Sequence, residues 1–145
     1  ITDSVLVIAG SNWKDYKILD DGYRIRLQPG IIGGLANGYL IPFGRKIGPD
    51  PASINAAMIG GIAANNASGM CCGTAQNSYR TVDSMRIVFA DGSVLDTSDA
   101  ASRKAFKAKH RRMLDRISQM AARVRQDEAL AARIAARLET LLTDD

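Results

Sequence analysis

The sequence has one histidine, two cysteines and no long apolar run. Without a second imidazole, a zinc site would need carboxylates or thiolates at ligand spacing, and no such cluster occurs. Cys71 and Cys72 are adjacent, which is not the C-x-x-C spacing of zinc or iron–sulfur ligands and which favours a reducing compartment. No segment approaches the ~18 apolar residues of a membrane span, and no signal peptide is visible. We therefore expect no metal site in these residues, and a location in the cytoplasm or at the cytoplasmic face of a membrane.

Several motifs that would identify an enzyme class are also missing. The sequence contains no G-x-S-x-G, no G-x-x-x-x-G-K-[ST] and no G-x-G-x-x-G. Serine-hydrolase, P-loop and nicotinamide-binding Rossmann interpretations therefore lack their motif. The single histidine, His110, lies on an apolar helical stripe, where packing explains it better than catalysis.

What the chain does have is the composition of a globular domain. It contains 145 residues, of which 46% are hydrophobic and 23% are charged, with a net charge of +4. It opens directly in the apolar run ITDSVLVIAG without a methionine, so we expect a piece of a longer protein. Between Arg103 and Arg137 there are eleven lysines or arginines and three acids. A solvated helical face is the plainer explanation of this charge, and a surface for nucleic acid, membrane or a partner is the alternative.

The pattern of the first two thirds predicts short strands separated by glycine-rich loops. Residues 4–9 and 23–28 read as neighbouring strands, with Tyr23, Ile25 and Leu27 on one face and a polar connection ending in an Asp-Gly turn. A short helix is predicted over residues 32–40, ended by Pro42 and Gly44. Residues 85–95 predict a hairpin around an Asp-Gly turn.

From residue 99 onward the composition is typical of helices. An apolar stripe with alternating spacings of four and three falters at Asp127 and then resumes. We favour two helices with Asp127 as the N-cap of the second, over one continuous helix. The stripe consists of Phe106, His110, Met113, Ile117, Met120 and Val124, followed by Ala131, Ile134, Leu138 and Leu141.

The segment MIGGIAANNASGMCCGTAQNSY, residues 58–79, concentrates small and amide side chains. Gly60 and Gly61 permit close approach of another backbone or of a ligand. If a helix starts here, its free N–H groups would face an anion or a carbonyl-rich ring, and Asn65 and Asn66 would add uncharged hydrogen bonds. Tight packing of helix on strand, with the asparagines as turn residues, is the competing explanation. The residues alone leave the two open.

Four ordered stretches carry a family resemblance: RLQPG, GRKIGPDPAS, IGGIAANNASGMCCGTAQNSY and IVFADGSVLDT. From about residue 1 to residue 99 the chain resembles the FAD-linked oxidases of the vanillyl-alcohol-oxidase (PCMH-type) superfamily. Within it the chain is most similar to NAD-independent D-lactate dehydrogenases and related D-2-hydroxyacid dehydrogenases. The resemblance implies an α+β fold, the second α/β subdomain of a PCMH-type FAD-binding domain, with a small, mainly antiparallel sheet flanked by helices. Residues 1–98 would form this subdomain, and residues 99–145 a basic helical extension packed on it.

The resemblance also implies which residues hold FAD. The loop Pro49, Asp50, Pro51 and Ser53 would lie along the cofactor, and main-chain atoms at Ile87 and Val88 would meet its adenine side. The turn and helix start that hold it would consist of Gly60, Gly61, Asn65, Asn66, Ser68 and Gly69. The adjacent cysteines look like a feature of a subgroup.

The remaining parts of such an enzyme would lie outside these residues. The resemblance implies a glycine-rich phosphate loop upstream, and a substrate-binding cap with the catalytic base downstream. An iron–sulfur cluster, where the family has one, would also be downstream. The implied activity is oxidation of a 2-hydroxyacid, with D-lactate as first candidate, by hydride transfer to flavin and on to a quinone or another non-NAD acceptor. D-2-hydroxyglutarate and glycolate are alternative substrates. A non-enzymatic module that binds a partner or nucleic acid through its basic helices is the alternative of another class, although we expect no nucleic-acid partner.

Overall fold

The computed structural model describes residues 12–69 and 73–143, in two compact units, Ile1–Asp83 and Ser84–Asp145. The predicted strand over residues 4–9 and the two cysteines lie outside the described residues. The elements combine helices with two small antiparallel sheets, which confirms the predicted α+β class. The division proposed between residues 98 and 99 stays a prediction.

The first unit opens with a hairpin of β1 (Tyr16–Leu19) and β2 (Arg24–Leu27), paired from Tyr16 opposite Leu27 to Leu19 opposite Arg24. A tight turn over Asp20–Gly22, where all three residues have positive φ, joins the strands. The predicted Asp-Gly turn is therefore present. The prediction of a polar connection before this turn is wrong, because residues 16–19 form a strand. Tyr23 precedes β2 and is exposed, with the Arg45 guanidinium 3.5 Å from its ring centre. Tyr23 is therefore not part of the strand predicted over residues 23–28, whereas Ile25 and Leu27 are half-buried as the alternation predicts.

Three helices follow in the first unit: α1 (Gly33–Leu40), α2 (Ile59–Ala64) and α3 (Ser78–Thr81). The helix predicted over residues 32–40 is confirmed, and it ends in a 3₁₀ turn over Ile41–Phe43 and a left-handed Gly44. The unit's small core joins α1 to α2, and it consists of Ile31, Ala36, Leu40 and Ile62. This core fixes α2 beside the start of α1.

The second unit begins with the hairpin of β3 (Arg86–Val88) and β4 (Val94–Asp96), which confirms the hairpin predicted over residues 85–95. The predicted alternation also holds, because Met85, Ile87 and Phe89 are half-buried while Arg86 and Val88 are exposed. Period-two burial of this kind follows from side chains pointing alternately to the two faces of a strand.

Three helices complete the second unit: α4 (Ala100–Lys109), α5 (Arg111–Gln126) and α6 (Glu128–Thr143). The break at Asp127 is confirmed, and its carboxylate caps α6 by accepting a hydrogen bond from the Leu130 N–H at 2.8 Å. The prediction of two helices is wrong, because a further break at His110 separates α4 from α5. Phe106 is buried, its ring centre 4.7 Å from that of Phe89 and 4.2 Å from that of His110. Among the described residues, no helix is long and apolar enough to cross a membrane.

Candidate cofactor-binding site

The loop of residues 49–53 packs directly on the end of the small-residue segment. The Asp50 N–H donates a 2.9 Å hydrogen bond to the Ser68 carbonyl. Gly69 has φ +151°, and a Cβ there would overlap the Asp50 carbonyl group. Only glycine combines this φ with so close a backbone contact. Two stretches separated by about fifteen residues in sequence are therefore held side by side, and both belong to the predicted cofactor-binding set.

Turns and an ion pair stabilise this loop from within. The Ile54 N–H donates to the Pro51 carbonyl at 2.8 Å, and the Ser53 carbonyl accepts from the N–H groups of Ala56 and Ala57. Pro49 is buried, whereas Ser53 is exposed. Lys46 Nζ lies 3.1 Å from Asp50 Oδ2 and balances its charge. The loop is thus ordered by its own hydrogen bonds, with the Ser53 hydroxyl on its surface.

The two glycines at the start of α2 have different environments. A Cβ on Gly60 would lie 2.8 Å from Pro29 Cβ, and the Gly60 N–H donates to the Pro29 carbonyl at 2.9 Å. The preceding N–H, of Ile59, donates to the Ile31 carbonyl at 2.8 Å. The helix start was expected to offer free N–H groups, but protein carbonyls already occupy these two. Gly61 is exposed, with no atom within 4 Å of an added Cβ, so close approach to the α2 backbone remains open there.

The adjacent asparagines are similarly divided. Asn66 has φ +48°, and its Oδ1 accepts a 2.9 Å hydrogen bond from the Tyr79 N–H, so this residue forms a structural turn. Asn65 ends α2 through its main chain and is exposed. Among the residues that the structure describes, none hydrogen-bonds its side-chain amide. Asn65 is therefore the asparagine whose donor and acceptor are available to a ligand.

Ser78 is a structural residue of this site that the sequence analysis missed. Its buried hydroxyl lies 3.0 Å from both the Ile62 and the Ala67 carbonyl oxygens, and its N–H also donates to the Ala67 carbonyl. These bonds hold the segment after α2 in place. Its only sequence signal is the pair Asn77-Ser78 before a helical turn, where Asn77 accepts from the Arg80 N–H as an N-cap.

The other two predicted residues lie in the second unit, on β3. Ile87 pairs with Leu95 and is half-buried, while Val88 pairs with Val94 and is 67% exposed. Their predicted role uses main-chain atoms and stays a prediction. The remaining ten predicted residues all belong to the first unit.

The most strongly perturbed carboxylate of the described residues lies at the turn of the β3–β4 hairpin. Hydrogen bonds from Ser93, and then Lys109 at 3.2 Å, hold the pKa of Asp91 far below its usual range. The Ser93 hydroxyl donates to Asp91 and lies 3.0 Å from His110 Nε2. Here serine stands between the carboxylate and the imidazole, whereas in a hydrolytic triad the imidazole stands between the other two. This cluster joins the hairpin turn to the α4–α5 break and lacks the order of a triad.

The exposed Gly61 backbone and the available Asn65 amide suit a bound cofactor that needs close approach and uncharged hydrogen bonds. A family model described as an FAD binding domain matches residues 1–98. Searches of the curated proteins and of the solved structures find no match. The family match covers more than half of the chain and points to flavin oxidoreductases. The chain therefore belongs to the FAD-binding domain family, with FAD as its cofactor.

Proposed function

We propose that this chain forms one side of the FAD site in a flavin-dependent dehydrogenase that oxidises a 2-hydroxyacid, with D-lactate as the first candidate. The electrons would pass to an acceptor other than NAD, such as a quinone. The family match supports the flavin, and the resemblance of residues 1–99 to D-2-hydroxyacid dehydrogenases supports the substrate class. The proposal concerns the natural protein that carries this chain.

The structural observation that carries the proposal is the contact between Gly69 and the Asp50 carbonyl. It sets the loop 49–53 against the segment after α2, so that residues far apart in sequence can serve one ligand. Segments that only needed to pack could be joined by ordinary side chains. Backbone contact of this kind holds the two segments together without side chains between them, and the space at Gly61 is also open.

Each residue would contribute binding and orientation. The Asn65 amide would hydrogen-bond a carbonyl or phosphate oxygen of the cofactor, and the Gly61 backbone would allow the cofactor to lie against α2. The Ser53 hydroxyl, exposed on the loop, would supply a further donor. Bound FAD supplies the two-electron acceptor for substrate oxidation, which no side chain can provide. The proposed base that takes the hydroxyl proton lies outside these residues.

The substrate proposal is tested on the natural protein that carries this chain. Reduction of an artificial dye acceptor would be followed with D-lactate, L-lactate, D-2-hydroxyglutarate and glycolate, each with and without NAD. We expect dye reduction with D-lactate and no dependence on NAD. If D-2-hydroxyglutarate or glycolate is strongly preferred, the proposed flavin chemistry stands and D-lactate is replaced as the proposed substrate. Activity that requires NAD, or no activity with any 2-hydroxyacid, would contradict the proposal.

The cofactor contacts are tested on the 145-residue chain itself. We expect this chain alone to bind FAD weakly or not at all, because the resemblance places the phosphate loop outside it. Purification with stoichiometric flavin would contradict that expectation. In the natural protein, Asn65→Ala should weaken FAD binding about tenfold, as expected for one lost hydrogen bond to a charged or polar ligand group. The matched variant Asn55→Ala changes an exposed asparagine outside the predicted set and should leave FAD affinity unchanged.

A further inference from the structure

The α5 helix carries an apolar row that the described residues leave exposed. Ile117, Met120 and Val124 are 54%, 63% and 51% exposed, and their spacing of three and four places them on one face. Phe106 lies on α4 and His110 at the break before α5, and both are covered inside the second unit. An apolar row left exposed on a helix is characteristic of a surface that packs against something further.

Arginines border this row on one side. Arg112, Arg116 and Arg123 lie at positions i, i+4 and i+11, which the helical period places along one flank of the row. The ion pair found on α5 among the described residues involves a different arginine, Arg111, which lies 3.9 Å from Asp115. The face formed by the apolar row (Ile117, Met120, Val124) and the arginine flank (Arg112, Arg116, Arg123) is called the α5 face below.

We infer that the α5 face docks an amphipathic protein helix whose apolar stripe is bordered by carboxylates. Such a helix would cover the apolar row and pair its acidic residues with the arginine flank, in the manner of helix-in-groove recognition. This interaction is independent of the proposed flavin chemistry, because every residue of the α5 face belongs to the second unit and none is in the predicted cofactor-binding set.

The chemistry of the α5 face argues against the other occupants. An antiparallel second copy of α5 would bring the same arginines opposite one another, and like charges oppose that pairing. Helices that lie in a bilayer surface bury Trp, Phe or Leu in the acyl boundary, whereas α5 has no aromatic residue and its exposed row contains only Ile117, Met120 and Val124. Duplex DNA would satisfy the arginines but offers no apolar surface for the row. An acidic amphipathic helix satisfies both parts.

The test uses the 145-residue chain and a fluorescent synthetic peptide with leucine at the a and d positions of each heptad and glutamate at e and g. The same peptide with lysine at e and g is the control probe. Fluorescence anisotropy should show binding of the glutamate peptide and none of the lysine peptide. Met120→Ser should weaken the binding about tenfold, as expected when a buried methionine is lost.

A matched pair of double variants separates a specific face from general charge attraction. Arg116→Gln with Arg123→Gln removes two charges from the flank, whereas Arg111→Gln with Arg125→Gln removes two charges from elsewhere on the helix. The flank pair should weaken binding about fivefold and the other pair less than about twofold. Circular dichroism would confirm that all variants keep the same helix content, since the changed side chains are exposed.

Several results would overturn the inference. Equal weakening by the two double variants would show general electrostatic attraction. Absence of binding by the glutamate peptide would remove the proposed occupant. Preferential binding to vesicles of phosphatidylcholine with phosphatidylglycerol, or to duplex DNA, would assign the face to lipid or nucleic acid. Self-association in sedimentation that Met120→Ser abolishes would assign it to a second copy.

Discussion

Replacement of Gly69 by alanine is the sharpest test of how the candidate site is built. At φ +151° an L side chain is strained, which costs ~1–3 kcal/mol. The new Cβ would also overlap the Asp50 carbonyl, and overpacking of this kind costs ~1–3 kcal/mol. Partial relaxation of the loop would offset some of this, so we expect a loss of about 3 kcal/mol in the free energy of unfolding of the first unit.

Gly61→Ala is the matched control for Gly69→Ala, because both add one methyl group to the same segment. Gly61 is helical, and nothing lies within 4 Å of its added Cβ. Alanine there should stabilise the unit by up to ~1 kcal/mol through helix propensity. The same methyl would occupy the side that we assign to the cofactor, so this variant should weaken FAD binding in the natural protein while raising stability.

Urea denaturation followed by the fluorescence of Trp13 measures both variants. Trp13 is the single tryptophan, and its carbonyl accepts a 2.9 Å hydrogen bond from the Gly30 N–H in the first unit. The midpoint should fall for Gly69→Ala and rise slightly for Gly61→Ala, with the slope unchanged. A loss below about 0.5 kcal/mol for Gly69→Ala, the size of an ordinary surface substitution, would refute the argument that this glycine joins the two segments.

Three further predictions test single contacts. Ser78→Ala removes a buried hydroxyl that bonds two carbonyls and should cost about 1–3 kcal/mol in the same urea assay; an unchanged midpoint would contradict it. Because Ser93 lowers the folded-state pKa of Asp91, the stabilisation is present above the ordinary aspartate pKa and is lost as the pH falls through the acidic range. In the Asp91→Asn variant the free energy of unfolding should therefore fall less steeply as the pH is lowered through the acidic range. An unchanged pH dependence would contradict the role given to Asp91. Asp127→Ala removes the side chain that caps the Leu130 N–H. It should lower the free energy of unfolding by about 1 kcal/mol and reduce the helical circular dichroism signal. An identical spectrum and midpoint would show that this cap does not stabilise the helix.

The sequence predicted those elements whose signals are local. The β3–β4 hairpin is predictable because Met85, Ile87 and Phe89 occupy alternate positions and an Asp-Gly turn follows. Only the second strand of the first hairpin was predicted, because β1 has just four residues and stands beside charged neighbours. The pairing of β1 with β2 is visible only in three dimensions.

The break at His110 shows a different limit of prediction. The spacing of the apolar stripe continues without interruption through this position, and neither glycine nor proline marks it. Tertiary contacts with the hairpin accompany the break: the His110 ring centre lies 6.1 Å from that of Phe89, and His110 Nε2 lies 3.0 Å from the Ser93 hydroxyl at the hairpin turn. Periodicity reports which face is apolar, but it carries no information about a contact with a distant turn.

The small-residue segment shows why packing and ligand binding could not be separated from sequence. Both demand glycine and small polar side chains, so one segment can serve both through different residues. Gly60, Asn66 and Gly69 are used by the protein itself, against Pro29, the Tyr79 N–H and the Asp50 carbonyl. A Cβ added at Gly61 would meet open space, and the Asn65 side chain has no hydrogen-bonding partner among the described residues. The packing residues therefore position the binding residues, which is why a Gly69 variant should act on stability and a Gly61 variant on cofactor affinity.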